Sequence, residues 1–172
     1  MKKIITVLFI LILAFFSSAL SYENDLQKIN KIVVFPRSSR GSLSSEATNS
    51  VSSELKNLGK YKVEVWQGNA NPRQMNEISK KLNADAMLIT DAKEQVTYGK
   101  ADTKDGKREE LYNVRLRVKL MDANGKKVLW SDVQDSRKLV GNYNRNIQDY
   151  MMHVNAVAKN VINNLREKLQ RK

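Results

Sequence analysis

The strongest constraint on the fold is a segment of strict alternation, Leu111–Met121, which ends shortly before the dipeptide Asn124-Gly125. Every second residue in it is apolar, namely Tyr112, Val114, Leu116, Val118 and Leu120. Side chains along a strand point alternately to opposite faces, so this pattern predicts a strand with one buried face. Asn-Gly is a strong signal for a tight turn between antiparallel strands. The segment Lys127–Val133 is therefore predicted to be the partner strand.

Three further strands are predicted upstream of this hairpin. They are the β-branched run Lys31–Phe35, the alternating run Tyr61–Trp66 and the apolar run Ala86–Thr90. We expect the third strand to continue through Val96 and Tyr98 after a bulge near Asp91. Residues 99–109 are polar and rich in turn formers, which predicts a mobile loop before the long strand.

Helical periodicity separates the first three strands and closes the chain. Ser44 is predicted to cap a helix with one apolar face, and Gly59 is predicted to end it. Asn71 followed by Pro72 is typical of the start of a second helix. A terminal helix is predicted from apolar residues at spacings of three and four, namely Ile147, Met151, Val154, Ala158, Val161, Leu165 and Leu169.

The predicted order of elements is β-α-β-α-β-β-β-α, without an internal repeat. Strands joined by helical crossovers run parallel, whereas strands joined by hairpins run antiparallel. The sequence therefore predicts a single domain over residues 22–172, of the α/β (α+β) class, in which helices pack on a mixed sheet.

The first 21 residues have the order of a bacterial export signal. Lys2 and Lys3 precede an apolar run, Ile4–Phe16, and small residues follow. The run is shorter than the roughly 20 residues of a membrane helix. We therefore expect cleavage after Ala19 or Ser21, with an uncleaved anchor as the alternative. The expectation is a soluble periplasmic protein without a transmembrane span after signal removal.

Composition limits the chemistry that the chain can perform. It contains no cysteine and one histidine, His153, which excludes cysteine nucleophiles and multi-histidine metal centres. The missing cysteine also closes the lipoprotein route, so we expect a protein that is not a lipoprotein. No phosphate-loop or calcium-loop motif occurs. We predict no enzyme activity, no catalytic residues, no cofactor and no metal. The alternative is a hydrolase that uses two of the carboxylates Asp85, Asp91, Asp132 and Asp135.

Basic residues form the most informative functional pattern. The chain has 30 lysines and arginines against 18 acidic residues, and Arg115, Arg117 and Lys119 alternate along the predicted long strand. Period two places these three cations on one face, about 7 Å apart. If no helix covers that face, it can meet an acidic partner surface or phosphates. The alternative is a solvated face that keeps the protein soluble. The loop with Arg37 and Arg40 is a second candidate for anion binding.

Three segments together resemble a known layout. Ile32–Pro36, Leu82–Thr90 and Leu120–Ser131 stand where patterns like IAVLPF, LGADALLVG and LVDAETGEVLWS occur in the small α/β envelope domain shared by CsgG, LpoB, FlgT and the N-terminal domain of TolB. The resemblance spans about residues 31–133. It implies a non-enzymatic accessory protein of the bacterial envelope that works by contact with larger machinery. Several of these relatives are lipoproteins, and the absent cysteine is a departure from their pattern.

We therefore expect a periplasmic accessory or scaffold protein that docks on an envelope protein complex. Its predicted contact residues are Arg115, Arg117 and Lys119, with Arg37 and Arg40 as a second group. The alternative is a protein that binds an anionic envelope glycolipid or polymer, such as lipopolysaccharide or peptidoglycan. Export separates the chain from most nucleic acid, and no RNA-binding aromatic motif is present, so no nucleic-acid partner is expected.

Overall fold

The computed structural model describes residues 25–37, 43–68, 70–101, 108–140 and 147–170. Within these ranges, the side chains of residues 95–101, 108–112, 137–140 and 147–150 are outside the description. The elements, in chain order, are β1 (Lys31–Pro36), α1 (Leu43–Asn57), β2 (Lys62–Val65), α2 (Pro72–Lys81), β3 (Ala86–Ala101), β4 (Arg108–Asp122), β5 (Val128–Val140) and α3 (Ile147–Gln170). The predicted export signal at residues 1–21 lies outside the described residues.

The five strands form one mixed sheet in the order β2-β1-β3-β4-β5. β1 pairs in parallel with both β2 and β3, whereas β3, β4 and β5 pair antiparallel in succession. A helix lies in each connection between the parallel strands, because the chain must return to the starting end of the sheet before the next strand can run in the same direction. The predicted order of elements, the strand directions and the single α+β domain are confirmed.

The larger hydrophobic core lies on one face of the sheet, which we call the helix face because α1 and α3 cover it. β4 contributes Val114, Leu116, Val118 and Leu120, each fully buried. The helices contribute Ala47, Val51 and Leu55 from α1 and Val154, Val157, Ala158, Val161, Ile162 and Leu165 from α3. The alternation predicted for β4 and the spacing predicted for the terminal helix are therefore confirmed, and burial of these side chains drives the packing.

The opposite face of the sheet is covered only in part. Helix α2 packs a smaller cluster against β1 and the start of β3, consisting of Val33, Phe35, Ala70, Met75, Ala84 and Met87. Further along the same face, Arg115, Arg117 and Lys119 of β4 have exposed side chains. The sheet therefore combines a face that carries the larger core with one on which β4 presents charge to solvent.

Side-chain hydrogen bonds and one glycine fix the ends of several elements. Asn71 and Gln74 form a reciprocal capping box at α2, in which each side-chain oxygen lies 2.9 Å from the backbone nitrogen of the other. Asp85, directly before β3, accepts hydrogen bonds from the backbone nitrogens of Asn30 and Lys31, each at 2.9 Å. Gly59 follows α1 with φ of +68°, which glycine adopts without strain. The predicted roles of Asn71 and Gly59 are confirmed.

The start of α1 differs from the sequence-based prediction. The helix begins at Leu43, so Ser44 lies inside it and does not cap it. The carbonyl of Ser44 instead accepts a hydrogen bond from the hydroxyl of Thr48 at 2.5 Å. The same Thr48 hydroxyl lies 2.6 Å from that of Thr90 on β3, so this polar contact ties the helix to the sheet.

The antiparallel strands are longer and more regular than predicted. β3 runs without interruption through Asp91, and the irregularity in its pairing with β4 falls between Tyr98 and Ala101. β3 and β4 therefore extend into both ends of the segment predicted as a loop, and β5 continues to Val140. Backbone pairing with a neighbouring strand extends these segments beyond the residues whose side chains favour a strand.

Leu116 and Arg117 are neighbours in β4, and substituting each with alanine tests which face of the strand is buried. Leu116 is fully buried, so Leu116→Ala is expected to lower the free energy of unfolding by about 2–5 kcal/mol. Arg117→Ala, on the exposed side, is expected to change it by less than about 0.5 kcal/mol. Urea unfolding followed by circular dichroism measures both values. Equal losses would contradict the assignment of the faces.

Tyr61, directly before β2, has a buried hydroxyl without a hydrogen-bond partner among the described residues. Burial raises the pKa of this hydroxyl from 10.0 to about 12. Because the pKa in the folded state lies above that in the unfolded state, stability is expected to fall as the pH rises from about 10 to about 12. Tyr61→Phe keeps the ring and removes this contribution. Thermal unfolding at pH 8 and pH 11 should therefore show a smaller loss in the variant, and an equal loss would refute the assignment.

Candidate functional site

Strand register arranges the side chains on the uncovered side of β3, β4 and β5 in three rows. In each row, a residue of β4 lies between one residue of β3 and one of β5. The rows are Lys93, Arg115 and Asp135; then Asp91, Arg117 and Val133; then Ile89, Lys119 and Ser131. We call these nine residues the open face. Directly opposed side chains lie about 4.5–5.5 Å apart at Cβ, so the members of a row can interact.

Arg115 forms an ion pair within the open face. Its Nε lies 2.8 Å from Oδ1 of Asp135, and its Nη2 lies 3.2 Å from Oδ2. The hydrogen bond to Asp135 and the charge of this carboxylate raise the pKa of Arg115. Both side chains are partly exposed to solvent, so the ion pair adds little to the stability of the fold. Its main effect is to fix the direction of the guanidinium group.

Arg37 reaches the open face from the end of β1. Its backbone nitrogen donates to the carbonyl of Thr90 at 2.7 Å, which continues the pairing of β1 with β3 beyond Pro36. Its Nη1 lies 3.7 Å from Oδ2 of Asp91, the residue that register places opposite Arg117. The two basic groups predicted separately from the sequence therefore meet at Asp91. Arg40, the other member of the second group, lies outside the described residues.

Three cations of the open face have no ion-pair partner in the described part of the chain, namely Lys93, Arg117 and Lys119. All three have exposed side chains. Together with Arg37 and Arg115 they outnumber the two carboxylates of this region, so the surface carries an excess of positive charge. Val133 adds an apolar side chain, 44% exposed, directly opposite Arg117.

Sequence reasoning found the β4 cations but missed two residues of the same surface. Lys93 and Val133 belong to neighbouring strands, and their positions beside Arg115 and Arg117 depend on register. The available signal was the alternation of Asp91 and Lys93 after an apolar strand, which indicates that they share a face.

Two aromatic residues, Trp66 and Tyr98, are not established members of the open face. Trp66 follows β2, at the opposite edge of the sheet from β5, and is 36% exposed. β1 lies between β2 and β3, the nearest strand of the open face. The side chain of Tyr98 lies outside the described residues.

The four carboxylates considered as catalytic groups contact different parts of the molecule. Asp85 accepts backbone hydrogen bonds before β3, Asp91 lies beside Arg37, and Asp135 is paired with Arg115. Asp132 faces the other side of the sheet, where its Oδ2 accepts a hydrogen bond from Nδ2 of Asn164 at 2.7 Å. Each carboxylate has a structural role of its own.

His153 lies on α3 and contacts the edge strand β5. Its Nδ1 is 2.6 Å from the hydroxyl oxygen of Ser136. The histidine is partly buried. The contact ties α3 to β5 on the helix face, on the side opposite to the open face.

The described residues contain neither a membrane-spanning helix nor a group of metal-binding side chains. None of their helices has the length and apolar character that crossing a membrane would require. Within the same ranges, no three side chains of the types His, Cys, Asp or Glu come together in a group that could hold a metal ion.

The comparisons with known proteins show similarity of fold. No protein-family model matches the sequence, and no curated protein matches it. The hypothetical protein CT253 from Chlamydia trachomatis has a similar structure, with a TM-score of 0.55 and 10% identity over 84% of this chain and 99% of that chain. A homologue of a neuraminyllactose-binding hemagglutinin from Helicobacter pylori has a TM-score of 0.51 and 13% identity over 84% of this chain and 87% of that one. Neither belongs to the family that the sequence resembles, so that resemblance stays a prediction.

The comparisons also correct the predicted localisation. Lipoprotein GNA1162 from Neisseria meningitidis is 18% identical over 78% of this chain and 99% of that chain, with a TM-score of 0.49. A minor lipoprotein from Acinetobacter baumannii and lipoprotein B from Nitrosomonas europaea are similar as well. Three of the similar structures are thus named as lipoproteins. These names contradict the expectation, which rested on the missing cysteine, that the chain is not a lipoprotein, and that part of the predicted localisation is withdrawn.

Proposed function

We propose that this chain is an accessory protein of the bacterial cell envelope that docks on an acidic protein partner through the open face. The observation that carries the proposal is the group of three exposed cations, Lys93, Arg117 and Lys119, which have no ion-pair partner among the described residues and lie beside the exposed Val133. Charges of this kind accelerate encounter with an oppositely charged surface and select against partners of the same sign.

The mixed composition of the open face favours a protein partner over a polyanion. Asp135 lies exposed among the cations beside Arg115, whereas Asp91 beside Arg37 is buried. A carboxylate within the contact area repels a dense array of phosphates, whereas a protein surface can avoid it or place a polar group opposite. Val133 adds apolar contact area, and interfaces between proteins combine an apolar centre with a polar rim.

The proposed function does not include catalysis. The carboxylates considered for a hydrolase are each engaged by a separate structural contact, and His153 contacts Ser136 on the packed side of the sheet. The resemblance of the sequence to accessory envelope domains supports the same view. The chain would therefore act by binding, and the affected activity would be that of its partner.

A triple charge reversal tests the proposal. Lys93→Glu, Arg117→Glu and Lys119→Glu change the sign of these three cations, so binding to an acidic partner is expected to fall at least about tenfold. A photocrosslinking amino acid at Ser131, next to Lys119 in the open face, would capture the partner in intact cells. The adduct should disappear in the triple variant and weaken when the ionic strength is raised.

The matched control reverses three exposed charges on the helices, with Lys56→Glu, Lys159→Glu and Arg166→Glu. It changes the net charge by the same amount, so it separates a local effect from one of total charge. An adduct that survives the first set, or is lost equally in both, would refute the assigned surface. Salt-sensitive sedimentation with lipopolysaccharide or peptidoglycan, in the absence of any protein adduct, would favour the glycolipid or polymer alternative instead.

A further inference from the structure

The outer edge of β5 is a long strand edge to which no described strand is paired. β5 is the last strand of the sheet and has 13 residues, whereas β2 at the other edge has four. Such an edge offers a row of backbone donors and acceptors to any further strand. A short edge strand offers few such groups. The long β5 therefore needs either a feature that blocks the addition of a strand or a partner strand that pairs with it.

The hydrogen-bond pattern identifies which residues of β5 direct their backbone outward. The nitrogen of Asp122 donates to the carbonyl of Lys127, so even-numbered residues of β4 direct their backbone groups toward β5. Antiparallel pairs alternate between those that exchange hydrogen bonds and those that do not. Arg117 and Val133, which lie opposite each other, are therefore a pair that exchanges no backbone hydrogen bonds. The N–H and C=O groups of Val133, and by the same alternation those of Ser131 and Asp135, point away from the sheet.

Asp132 covers the outward N–H of Val133. Its Oδ1 accepts a hydrogen bond from that backbone nitrogen at 2.8 Å. Its Oδ2 is held by two further donors, Nε2 of Gln134 at 3.0 Å and Nδ2 of Asn164 at 2.7 Å. The carboxylate thus occupies the position where the carbonyl of an added strand would have to bind.

We propose that the outer edge of β5 pairs antiparallel with the same edge of a second copy of this chain, centred on Val133. Asp132 competes with this pairing for the N–H of Val133. The proposal rests on the edge alone and goes beyond the docking function of the open face. It predicts a weak association that strengthens when the competing carboxylate is removed.

The residues around Val133 are complementary to themselves in this register. A two-fold axis normal to the sheet keeps each face continuous, so residues that share a face lie opposite one another. Val133 then meets Val133 of the second copy, Asp132 meets Gln134, and Ser131 meets Asp135. Each contact joins apolar groups or joins a carboxylate to a hydrogen-bond donor. The outward backbone groups of Ser131, Val133 and Asp135 would exchange hydrogen bonds across the axis.

Neighbouring registers are less favourable. Centring the pair on Asp132 or on Asp135 sets two identical carboxylates directly opposite each other, which is destabilising. Centring it on Gln134 sets the apolar Val133 opposite Asp135. The charge pattern of Asp132 and Asp135 around Val133 therefore selects a second copy in one register.

Two single-cysteine variants test the pairing. The chain has no cysteine of its own, so a disulfide in Val133→Cys can form only between two copies. Directly opposed Cα atoms lie about 5.5 Å apart, within the range that a disulfide spans. In Ser131→Cys the two equivalent Cα atoms would be about 13 Å apart, too far for a bond. Both positions are exposed, so Ser131→Cys controls for chance collisions.

Mild oxidation followed by non-reducing electrophoresis gives the readout. Val133→Cys is expected to yield at least tenfold more crosslinked dimer than Ser131→Cys at equal concentration. Equal yields, or none from Val133→Cys, would overturn the proposed edge pairing. Both changes are on exposed side chains, so this test does not depend on altering the core.

Removal of the carboxylate tests the role of Asp132. Asp132→Ala frees the N–H of Val133, and sedimentation equilibrium should show a dimer dissociation constant at least tenfold lower than that of the unaltered protein. Adding Val133→Lys to it should restore the monomer, because two lysines would then oppose each other on the axis. An Asp132→Ala protein with native circular dichroism and unchanged association would overturn the competing role. If that variant does not fold, the cysteine pair still decides whether the edge pairs.

Discussion

The arrangement of both faces depends on one irregularity, the bulge at Leu129. Pairing of β4 with β5 shifts by one residue between Leu120 and Met121, which leaves Leu129 as an extra residue on β5. Leu129 and Trp130, although adjacent, both pack against the core on the helix face as a result. Beyond the bulge, each side chain of β5 points to the face opposite to the one it would have in a regular hairpin. This reversal turns Asp132 toward α3, where Asn164 binds it.

The same reversal determines which charges of the open face are paired. With the bulge, Arg115 faces Asp135 and Arg117 faces Val133. Without the extra residue, the register would move by one, and Arg117 would face Asp132 while Arg115 would lose its carboxylate. The bulge therefore leaves Arg117 without a cross-strand carboxylate on β5 and places an apolar neighbour beside it. The excess positive charge of the surface results from backbone register as much as from composition.

This dependence on register explains how far the sequence can predict the structure. Val118 and Val161 could be assigned to the core because alternation and helical spacing are patterns within one segment. The exposure of Arg117 followed from the same alternation. The place of Lys93 beside this group depends on pairing between segments, and the bulge at Leu129 has no signal in the turn Asn124-Gly125. The elements and the three cations along β4 could therefore be predicted from the sequence. The surface that β3, β4 and β5 form together could not.

The two proposed interaction sites on β5 meet at Val133. Val133 contributes its side chain to the open face and its backbone to the outer edge, while Asp132 approaches that edge from the helix face. Loss of the hydrogen bond between them would leave Arg117 and Lys119 in place. A two-fold axis normal to the sheet would put the open faces of two copies on the same side, so their cations would meet one extended surface together. Two linked contacts bind more tightly than either contact alone without any new interaction. Pairing at the edge would therefore strengthen docking through the open face.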